Sequence, residues 1–364
     1  MEMKFYMPTK VLVGKDIILR NTEIFNNYGK KALIVTGRNS SKNNGSLKDV
    51  TEALERCNIQ YMLFDKVEEN PSLETIMEAR NMGVEFGAEF IVGIGGGSPL
   101  DASKAIGVMI KNPELTIDTI FTDKKLSSID IIAVPTTAGT GSETTQYSIL
   151  TVHKEKTKKN LGQEIFAKVS FLDAKYMENM PAKTTISTAV DAFSHLSESY
   201  LNVNTNIITD GLIEKALSIF GKAIPSLIKG EFSNDDRENL MMASTIAGMV
   251  IAQTGTSLPH GMGYALTYFK GLPHGLANGC LYREYLNIFK DREKVNNIWK
   301  CLGLQSYEEL IEVLDKLTVV EIDVTKEEIA SYTEGMISNK AKLKNHPEEI
   351  SYDDIFNIYY NSLI

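Results

Sequence analysis

The chain has 364 residues, of which 43% are hydrophobic and 23% are charged. This length exceeds what one ordinary hydrophobic core contains, so we expect two domains of roughly 150–200 residues each. The 47 acidic and 38 basic side chains give a net charge of −9, which disfavours nucleic acids and anionic membranes as partners. No apolar run is long enough to span a bilayer, and the N-terminus lacks the apolar core of a secretory signal. Three cysteines without a CxxC pair are typical of a reducing compartment, so we expect a cytoplasmic protein.

In the first half of the chain, short β-branched runs alternate with helical patterns. Strands are predicted at 31–35, 61–64, 89–94 and 130–134, with an earlier strand within 5–13. Segments 47–56 and 74–86 have the amphipathic spacing of helices. Strands that alternate with helices indicate a parallel sheet covered on both faces. We therefore predict an α/β domain over residues 1–180.

From about Pro181 onwards the pattern is helical and lacks strand signals. Helices are predicted over 184–201, 210–229, 236–254 and 284–301. A break is expected at Ile224-Pro225, because proline kinks or ends a helix. We therefore predict an all-helical second domain over residues 181–364.

A glycine-rich turn follows the strand predicted at 89–94. Gly95–Gly97 lead into a helix for which Ser98 is predicted as the N-cap and Asp101 as the closing residue of a capping box. Three residues without side chains allow a diphosphate to approach the backbone N–H groups at the start of that helix. The pattern departs from GxGxxG because Ser98 stands at the third glycine position. Taken alone, the turn is equally compatible with a purely structural role.

A second polar loop, 135–143, follows the strand predicted at 130–134. It carries Thr136, Thr137 and Thr140 together with a serine and two glycines. The carboxyl ends of parallel strands share one edge of a sheet, and ligands of open α/β sheets bind at that edge. Two loops rich in hydrogen-bond donors there favour ligand binding over simple packing.

Three of the five histidines lie in patterns that indicate a metal site. Asp191 and His195 are four residues apart on one predicted helix face. His260 and His274 each stand in a Pro-His-Gly tripeptide. One carboxylate and three imidazoles suit a first-row divalent metal, although each piece alone is more typical of a surface pair or a loop. His346 lies in a charged neighbourhood and is predicted to be exposed.

Together, these motifs resemble the iron-containing (group III) alcohol dehydrogenase family over nearly the whole chain. The resemblance also rests on Phe5-Tyr6-Met7-Pro8-Thr9 with Val13-Gly14, on Glu69-Asn70-Pro71, and on the order and spacing of all the segments. It implies a Rossmann-like dinucleotide-binding domain and an all-helical metal-binding domain, in a dehydroquinate synthase-like architecture with the active site in the cleft between them. It also implies a homodimer, for which pairing through the N-terminal strands is our expectation.

The resemblance further implies roles for individual residues. Fe²⁺ would be bound by Asp191, His195, His260 and His274, and catalysis would proceed through this metal. The nicotinamide cofactor would contact the glycine-rich turn at Gly96, Gly97, Ser98 and Asp101. Further cofactor contacts are implied for Asn70, Thr136, Thr137, Thr140, Thr145, Tyr147 and Lys159.

One departure from the family pattern concerns proton transfer. Many members have a histidine four residues after the third metal ligand, and this histidine has been suggested to take part in a proton relay. This chain has Tyr264 there. Either Tyr264 carries the proton, or a cofactor hydroxyl and water do so.

A second departure concerns the choice of cofactor. The strand that ends at Thr36 is followed by Gly37, Ser40 and Ser41 rather than by the acidic residue frequent in members that use NAD. A carboxylate there would bond the 2′-hydroxyl of NAD, whereas serine hydroxyls and the nearby Arg38 or Lys42 can donate to a 2′-phosphate. We therefore expect NADP(H) to be preferred over NAD(H); the alternative is a flexible polar loop whose basic side chains are solvated.

The expected reaction is reversible hydride transfer between NADP(H) and a small primary alcohol or aldehyde of the butanol or 1,3-propanediol type. Fe²⁺ would act as a Lewis acid on the substrate oxygen, and Zn²⁺ is possible in the purified protein. The alternatives are an NAD-dependent polyol (glycerol-type) dehydrogenase, a lyase of the same fold that uses zinc, and a non-catalytic binding protein. A lyase would give no net change in NAD(P)H absorbance.

Overall fold

The computed structural model describes residues 3–155 and 157–364. It divides into two compact units, and the main division lies between Met180 and Pro181. The sheet unit comprises Met7–Thr137 and Gly141–Met180. The helical unit comprises Pro181–Ile364 together with two short segments, Met1–Tyr6 and Ala138–Thr140, which the sequence assigns to the first domain.

The sheet unit is built on a parallel sheet. Its strands are β1 (Lys10–Val13), β2 (Lys31–Gly37), β3 (Gln60–Val67), β4 (Phe90–Gly95), β5 (Asp130–Pro135), β6 (Ile149–Val152), β7 (Thr157–Asn160) and β8 (Val169–Leu172). Six of them pair in the order β1-β8-β5-β4-β2-β3, all parallel. β6 and β7 form a separate antiparallel pair that the sequence patterns do not predict.

The sheet is covered on both faces, as the sequence predicts. The helices of this unit are α1 (Ser40–Asn43), α2 (Ser46–Arg56), α3 (Leu73–Phe86) and α4 (Gly97–Lys111). Alternate residues of β2 enter different cores: Ile34 packs with α2 residues, whereas Leu33 packs with residues of α3 and α4. Because both faces are buried, the central strands are continuous apolar runs rather than alternating ones.

The helical unit contains no strand among its described residues. Its helices are α5 (Ala182–Tyr200), α6 (Ile207–Gly221), α7 (Ile224–Lys229), α8 (Asn234–Thr254), α9 (Leu258–Lys270), α10 (His274–Gly279), α11 (Tyr282–Asn287), α12 (Glu293–Cys301), α13 (Tyr307–Leu317), α14 (Lys326–Ile337), α15 (Lys340–Leu343) and α16 (Tyr352–Leu363). The Rossmann-like plus all-helical fold class is thereby confirmed. Within the described ranges, no helix is both long and apolar enough to cross a membrane.

The prediction of one helix over 284–301 is wrong, because the chain leaves the helix between α11 and α12. Asp291 Oδ1 accepts a hydrogen bond from the Glu293 backbone N–H at 2.9 Å. Such a local side-chain bond competes with the helical hydrogen-bond pattern. Phe289 in the same interruption packs on the His346 ring, with centroids 4.6 Å apart. His346 is accordingly buried, not exposed as its charged neighbourhood predicts.

Candidate metal centre and cofactor loops

The second half of α5 carries the first two candidate metal ligands. Asp191 and His195 lie one helical turn apart, and their exposed fractions are 3% and 5%. The helix is buried on all sides here, and two of its serine hydroxyls are satisfied by bonds to its own backbone. Ser194 Oγ donates to the Asp191 carbonyl at 2.8 Å, and Ser197 Oγ donates to the Phe193 carbonyl at 2.8 Å.

The other two candidate ligands come from the starts of two later helices. His260 lies in the first turn of α9, with Nε2 3.5 Å from Asp191 Oδ1 and its ring 4.3 Å from the His195 ring. His274 begins α10 and places Nε2 3.8 Å from the same Asp191 oxygen. The ligand atoms of Asp191, His195 and His260 all lie within 4.8 Å of one another. The structure thus brings together all four side chains, and the His274 side chain, 30% exposed, forms the more open side.

The pKa values of these groups follow from their burial and mutual charges. Burial alone would raise the pKa of the Asp191 carboxyl, but the surrounding imidazoles hold that pKa well below its ordinary value. Burial lowers the pKa of His195 to about 4. Burial also disfavours protonation of His260, yet the Glu198 and Asp191 carboxylates raise its pKa to about 9. Asp191 is therefore ionised and His195 neutral at pH 7, which are the forms that bind a metal.

The hydrogen bonds of the two buried imidazoles fit a metal ion. His195 Nδ1 lies 3.3 Å from the Gly139 carbonyl oxygen, and His260 Nδ1 lies 2.5 Å from Glu198 Oε1. Each Nδ1 faces an acceptor, so a neutral ring carries its proton there and its lone pair on Nε2. His260 Nε2 is buried and makes no hydrogen bond within the described ranges. One carboxylate and three imidazoles, two of them oriented in this way, suit Fe²⁺ or Zn²⁺.

Asn278 is a further polar side chain at this centre, and no sequence motif singles it out. It is fully buried, and its Nδ2 lies 3.3 Å from both Asp191 Oδ1 and His274 Nε2. It stands four residues after His274, one turn along α10. Helical spacing from a predicted ligand is the signal by which it could have been found.

The glycine-rich turn takes a different local form from the predicted one. α4 begins at Gly97, and no side chain caps it, so the prediction of Ser98 as N-cap in a capping box is wrong. Ser98 Oγ instead accepts a hydrogen bond from the Asn70 backbone N–H at 3.0 Å, and Asn70 itself has a φ of +58°. The first N–H groups of α4 are thus left for another acceptor, which a diphosphate can be. A Cβ on Gly96 would lie 3.0 Å from Thr137 Oγ1, so the two loops predicted to bind the cofactor approach closely.

A buried lysine that sequence reasoning missed joins α4 to the second polar loop. Lys104 Nζ donates to Ser142 Oγ at 2.8 Å and to the Tyr147 carbonyl at 2.6 Å, and lies 3.4 Å from Thr145 Oγ1. Its partner carboxylate, Asp101, is 3.5 Å away and accepts from Ser142 Oγ at 2.5 Å. Burial lowers the pKa of Lys104 and raises that of Asp101, while each charge offsets this effect on the other. Asp101, Thr145 and Tyr147 are therefore brought together as a set.

The remaining predicted cofactor residues are more dispersed. Thr136 is buried beside Gly95, to whose carbonyl its N–H donates at 2.9 Å, whereas Thr140 belongs to the helical unit. Lys159 is partly exposed and pairs with Glu155 at 2.6 Å. Lys158, the neighbour of Lys159 in β7, instead reaches Asn70, the residue that binds Ser98 of the glycine-rich turn. Lys158 Nζ donates to Asn70 Oδ1 at 2.7 Å, and burial lowers the pKa of Lys158 to about 8.

The segment after β2 presents only part of the predicted phosphate-binding set. Gly37 and Ser40 are accessible, as is Arg38, but Ser41 is fully buried and its Oγ accepts from Thr36 Oγ1 at 2.8 Å. Lys42 is paired with Asp65 of β3 at 2.5 Å. Arg38 and Ser40 are therefore the side chains best placed to meet a phosphate.

Asp49 is the first carboxylate after β2 in the sequence, but it is bound to side chains outside the segment that follows β2. It accepts from Tyr176 OH at 2.8 Å and pairs with Lys175 at 2.7 Å. It is therefore not available to bond a ribose hydroxyl.

Comparisons with known proteins identify the family of this chain. The profile described as "Iron-containing alcohol dehydrogenase" matches residues 8–174, and "Fe-containing alcohol dehydrogenase family, C-terminal" matches residues 185–363. Lactaldehyde reductase of Escherichia coli (strain K12) is 30% identical, and the match covers 92% of each chain. NADPH-dependent butanol dehydrogenase of Clostridium saccharobutylicum is 31% identical over 86% of this chain and 82% of that protein. An iron-containing alcohol dehydrogenase structure from Thermotoga maritima superposes with TM-score 0.93 at 38% identity, covering 100% of this chain and 99% of that one.

The fold and these comparisons thus define an oxidoreductase of the alcohol dehydrogenase type, a class that acts with iron and a nicotinamide cofactor. The chain belongs to the iron-containing alcohol dehydrogenase family.

The close approach of α10 to α5 generates a prediction about Gly275. A Cβ there would lie 1.8 Å from the Ser187 carbonyl oxygen, so Gly275→Ala must displace α10 and with it His274. We expect a loss of about 1–3 kcal/mol in stability, the cost of overpacking, together with weaker metal binding. Gly211→Ala is the control, since nothing lies within 4 Å of its Cβ position in α6. Thermal unfolding and metal titration of both variants check this, and equal behaviour of the two would contradict it.

Proposed function

We propose that the protein catalyses reversible hydride transfer between NADP(H) and a small primary alcohol or its aldehyde, with Fe²⁺ held by Asp191, His195, His260 and His274. The butanol or 1,3-propanediol class is the proposed substrate range. The observation that carries the proposal is the convergence of the Asp191, His195 and His260 ligand atoms within 4.8 Å. The related Clostridium protein, which is a butanol dehydrogenase that uses NADPH, supports the substrate class and the cofactor.

The metal centre would activate the substrate oxygen. An Fe²⁺ ion bound there supplies Lewis acidity toward an alcohol or carbonyl oxygen, while nicotinamide accepts or donates the hydride. Asp191 contributes the one ionised ligand, and the buried rings of His195 and His260 exclude water from its side of the centre. We propose that Tyr264 relays the substrate's hydroxyl proton: its phenolic oxygen accepts that proton while its own proton passes to water. The Tyr264 ring stacks on that of His274 with centroids 5.9 Å apart.

The sheet unit would hold the cofactor. The uncapped N–H groups at the start of α4 are proposed to bind the diphosphate, because the absence of side chains at Gly96 and Gly97 lets the phosphates come close. Asp101 and Lys104 fix Ser142, Thr145 and Tyr147 beside that helix. Lys158 is proposed as an additional cofactor contact through its bond to Asn70.

The NADP(H) preference is proposed to depend on Arg38. Its side chain is exposed beside Ser40, and Asp49 is occupied by Lys175 and Tyr176. Asp65 favours the opposite preference, because it neutralises Lys42 and adds negative charge near the same segment. Asp65 thus makes NAD(H) use the main competing outcome.

Arg38→Ala tests this preference. We expect the KM for NADPH to rise about tenfold, which corresponds to about 1.4 kcal/mol, with little change for NADH, because only NADPH carries the phosphate. Lys48→Ala, an exposed lysine on α2, controls for a general loss of positive charge. Initial rates at varied cofactor concentration provide the measurement. Equal kcat/KM for NADPH and NADH in the unaltered protein would refute the proposed preference.

The reaction itself is tested by NADPH absorbance with butyraldehyde, on anaerobic protein reconstituted with Fe²⁺. We expect NADPH oxidation, and we expect His260→Ala and His274→Ala to lose both metal and at least 100-fold in turnover, because each removes a ligand. His153→Ala is the matched control, since His153 is exposed on the sheet unit. Retention of metal and turnover in His260→Ala would disprove the site. Absence of oxidation with metal bound would refute butyraldehyde as a substrate and would favour either a different substrate or the lyase of the same fold.

We also propose a cytoplasmic homodimer. β1 is an edge strand that pairs only with β8 within the described residues, so its other edge is open to a second copy. Cys57, Cys280 and Cys301 are free thiols, in keeping with a reducing compartment. Size-exclusion chromatography with light scattering measures the molar mass of the protein in solution, and the mass of a monomer at micromolar concentration would contradict the dimer.

A further inference from the structure

We propose that Glu198 is a positioning residue for the metal centre, which holds His260 in the tautomer and orientation that present Nε2 to the metal. The inference rests on the proposed metal-dependent function. Glu198 lies on α5 three residues after His195, and its exposed fraction is 0%. It is not one of the four candidate ligands, and no sequence motif marks it.

Both oxygens of Glu198 are bound to the start of α9. Oε1 lies 2.5 Å from His260 Nδ1, and Oε2 accepts a hydrogen bond from the Ser257 backbone N–H at 2.6 Å. Ser257 immediately precedes α9, so the carboxylate fixes that helix end and the imidazole it carries. The Tyr282 hydroxyl lies 3.4 Å from Oε1 and completes the surroundings of this oxygen.

The hydrogen bond between Glu198 and His260 Nδ1 determines which nitrogen of the imidazole can coordinate a metal. A neutral imidazole has one N–H group and one lone pair, on opposite nitrogens. An ionised carboxylate accepts hydrogen bonds only, so Glu198 requires the proton on Nδ1 and leaves the lone pair on Nε2. That nitrogen faces Asp191 Oδ1 at 3.5 Å and has no hydrogen-bond partner in the described chain.

Stability alone does not account for a carboxylate at this position. Burying a charge costs free energy that an apolar side chain of similar volume would not incur. The cationic groups that favour the ionised form of Glu198 are His260 and, more weakly, Lys342, whose ammonium donates to Thr256 Oγ1. Orienting His260 toward a bound metal ion gives the Glu198 carboxylate a function that an apolar side chain could not perform.

Glu198→Gln separates positioning from simple anchoring. The amide has nearly the same size, but it offers one acceptor oxygen where two donors, Ser257 N–H and His260 Nδ1–H, must be met. If its NH₂ group faces His260, the imidazole proton moves to Nε2 and blocks coordination. If the NH₂ group faces Ser257, two N–H groups oppose each other and the start of α9 shifts. Either arrangement weakens metal binding.

The experiment measures Zn²⁺ affinity by competition with a chromophoric chelator, using the metal-depleted full-length protein. We expect Glu198→Gln to bind Zn²⁺ about 10–100-fold more weakly, the range typical for loss of a carboxylate that orients a ligating histidine. Glu214→Gln is the matched control. Glu214 lies on α6, is not in contact with the candidate metal ligands, and accepts a hydrogen bond from the Tyr200 hydroxyl at 2.6 Å. We expect the Zn²⁺ affinity of this variant to stay within twofold of that of the unaltered protein. Zn²⁺ affinity within twofold of the unaltered protein in Glu198→Gln would overturn the inference.

Two further measurements guard against misfolding and general disorder. Tyr282→Phe removes the hydroxyl near Oε1 but keeps the carboxylate, so we expect less than a threefold change; a loss as large as that of Glu198→Gln would overturn the positioning role. On the unaltered Zn²⁺-loaded protein with ¹⁵N-histidine, long-range ¹H–¹⁵N spectra are expected to show His260 protonated at Nδ1. Protonation at Nε2 would overturn the inference without any variant.

These readouts do not use alcohol oxidation. Weak Zn²⁺ binding by Glu198→Gln in a protein that oxidises no NADPH would therefore leave the inference standing and refute the proposed reaction.

Discussion

The Asp191 carboxylate is the group on which the candidate metal centre depends, because it is an ionised side chain in the buried half of α5. A buried charge of this kind requires compensation, and the structure supplies three imidazoles rather than a lysine or arginine. His260, whose pKa is raised to about 9, compensates part of this charge in the metal-free protein, and a divalent cation bound by the neutral rings would take over that role. The glycine at 275 serves the same end, because the absence of a Cβ there lets α10, which begins with His274, approach α5.

The sheet unit contains a second buried charge with a comparable role. The Asp101–Lys104 pair lies inside the unit and connects α4 to the loop that carries Ser142, Thr145 and Tyr147. Breaking one partner of such a pair is costly because the other charge stays buried. In each unit, therefore, a buried ionic group fixes a helix that the proposed ligand must meet: the metal in one unit and the nucleotide in the other.

Sequence patterns predicted the elements well where the signal is local. The apolar runs of β2, β4 and β5 identify the centre of the sheet to within two residues, because strands buried on both faces need continuous hydrophobic residues. The side chains that the patterns missed, Lys104, Glu198 and Asp65, work through partners 23 to 62 residues distant in the chain. No periodicity encodes such pairs. The Ser98 cap failed for a related reason, since a distant backbone N–H from Asn70 binds the hydroxyl instead.

X-ray absorption at the iron edge, on anaerobically reconstituted protein, tests the central claim most directly. The account predicts one iron per chain with imidazole scattering from three histidines, an oxygen from a carboxylate and no sulfur. It also predicts that the imidazole contribution falls when His195 is replaced by alanine. Iron bound through sulfur, or an unchanged spectrum in that variant, would place the metal elsewhere and contradict the account.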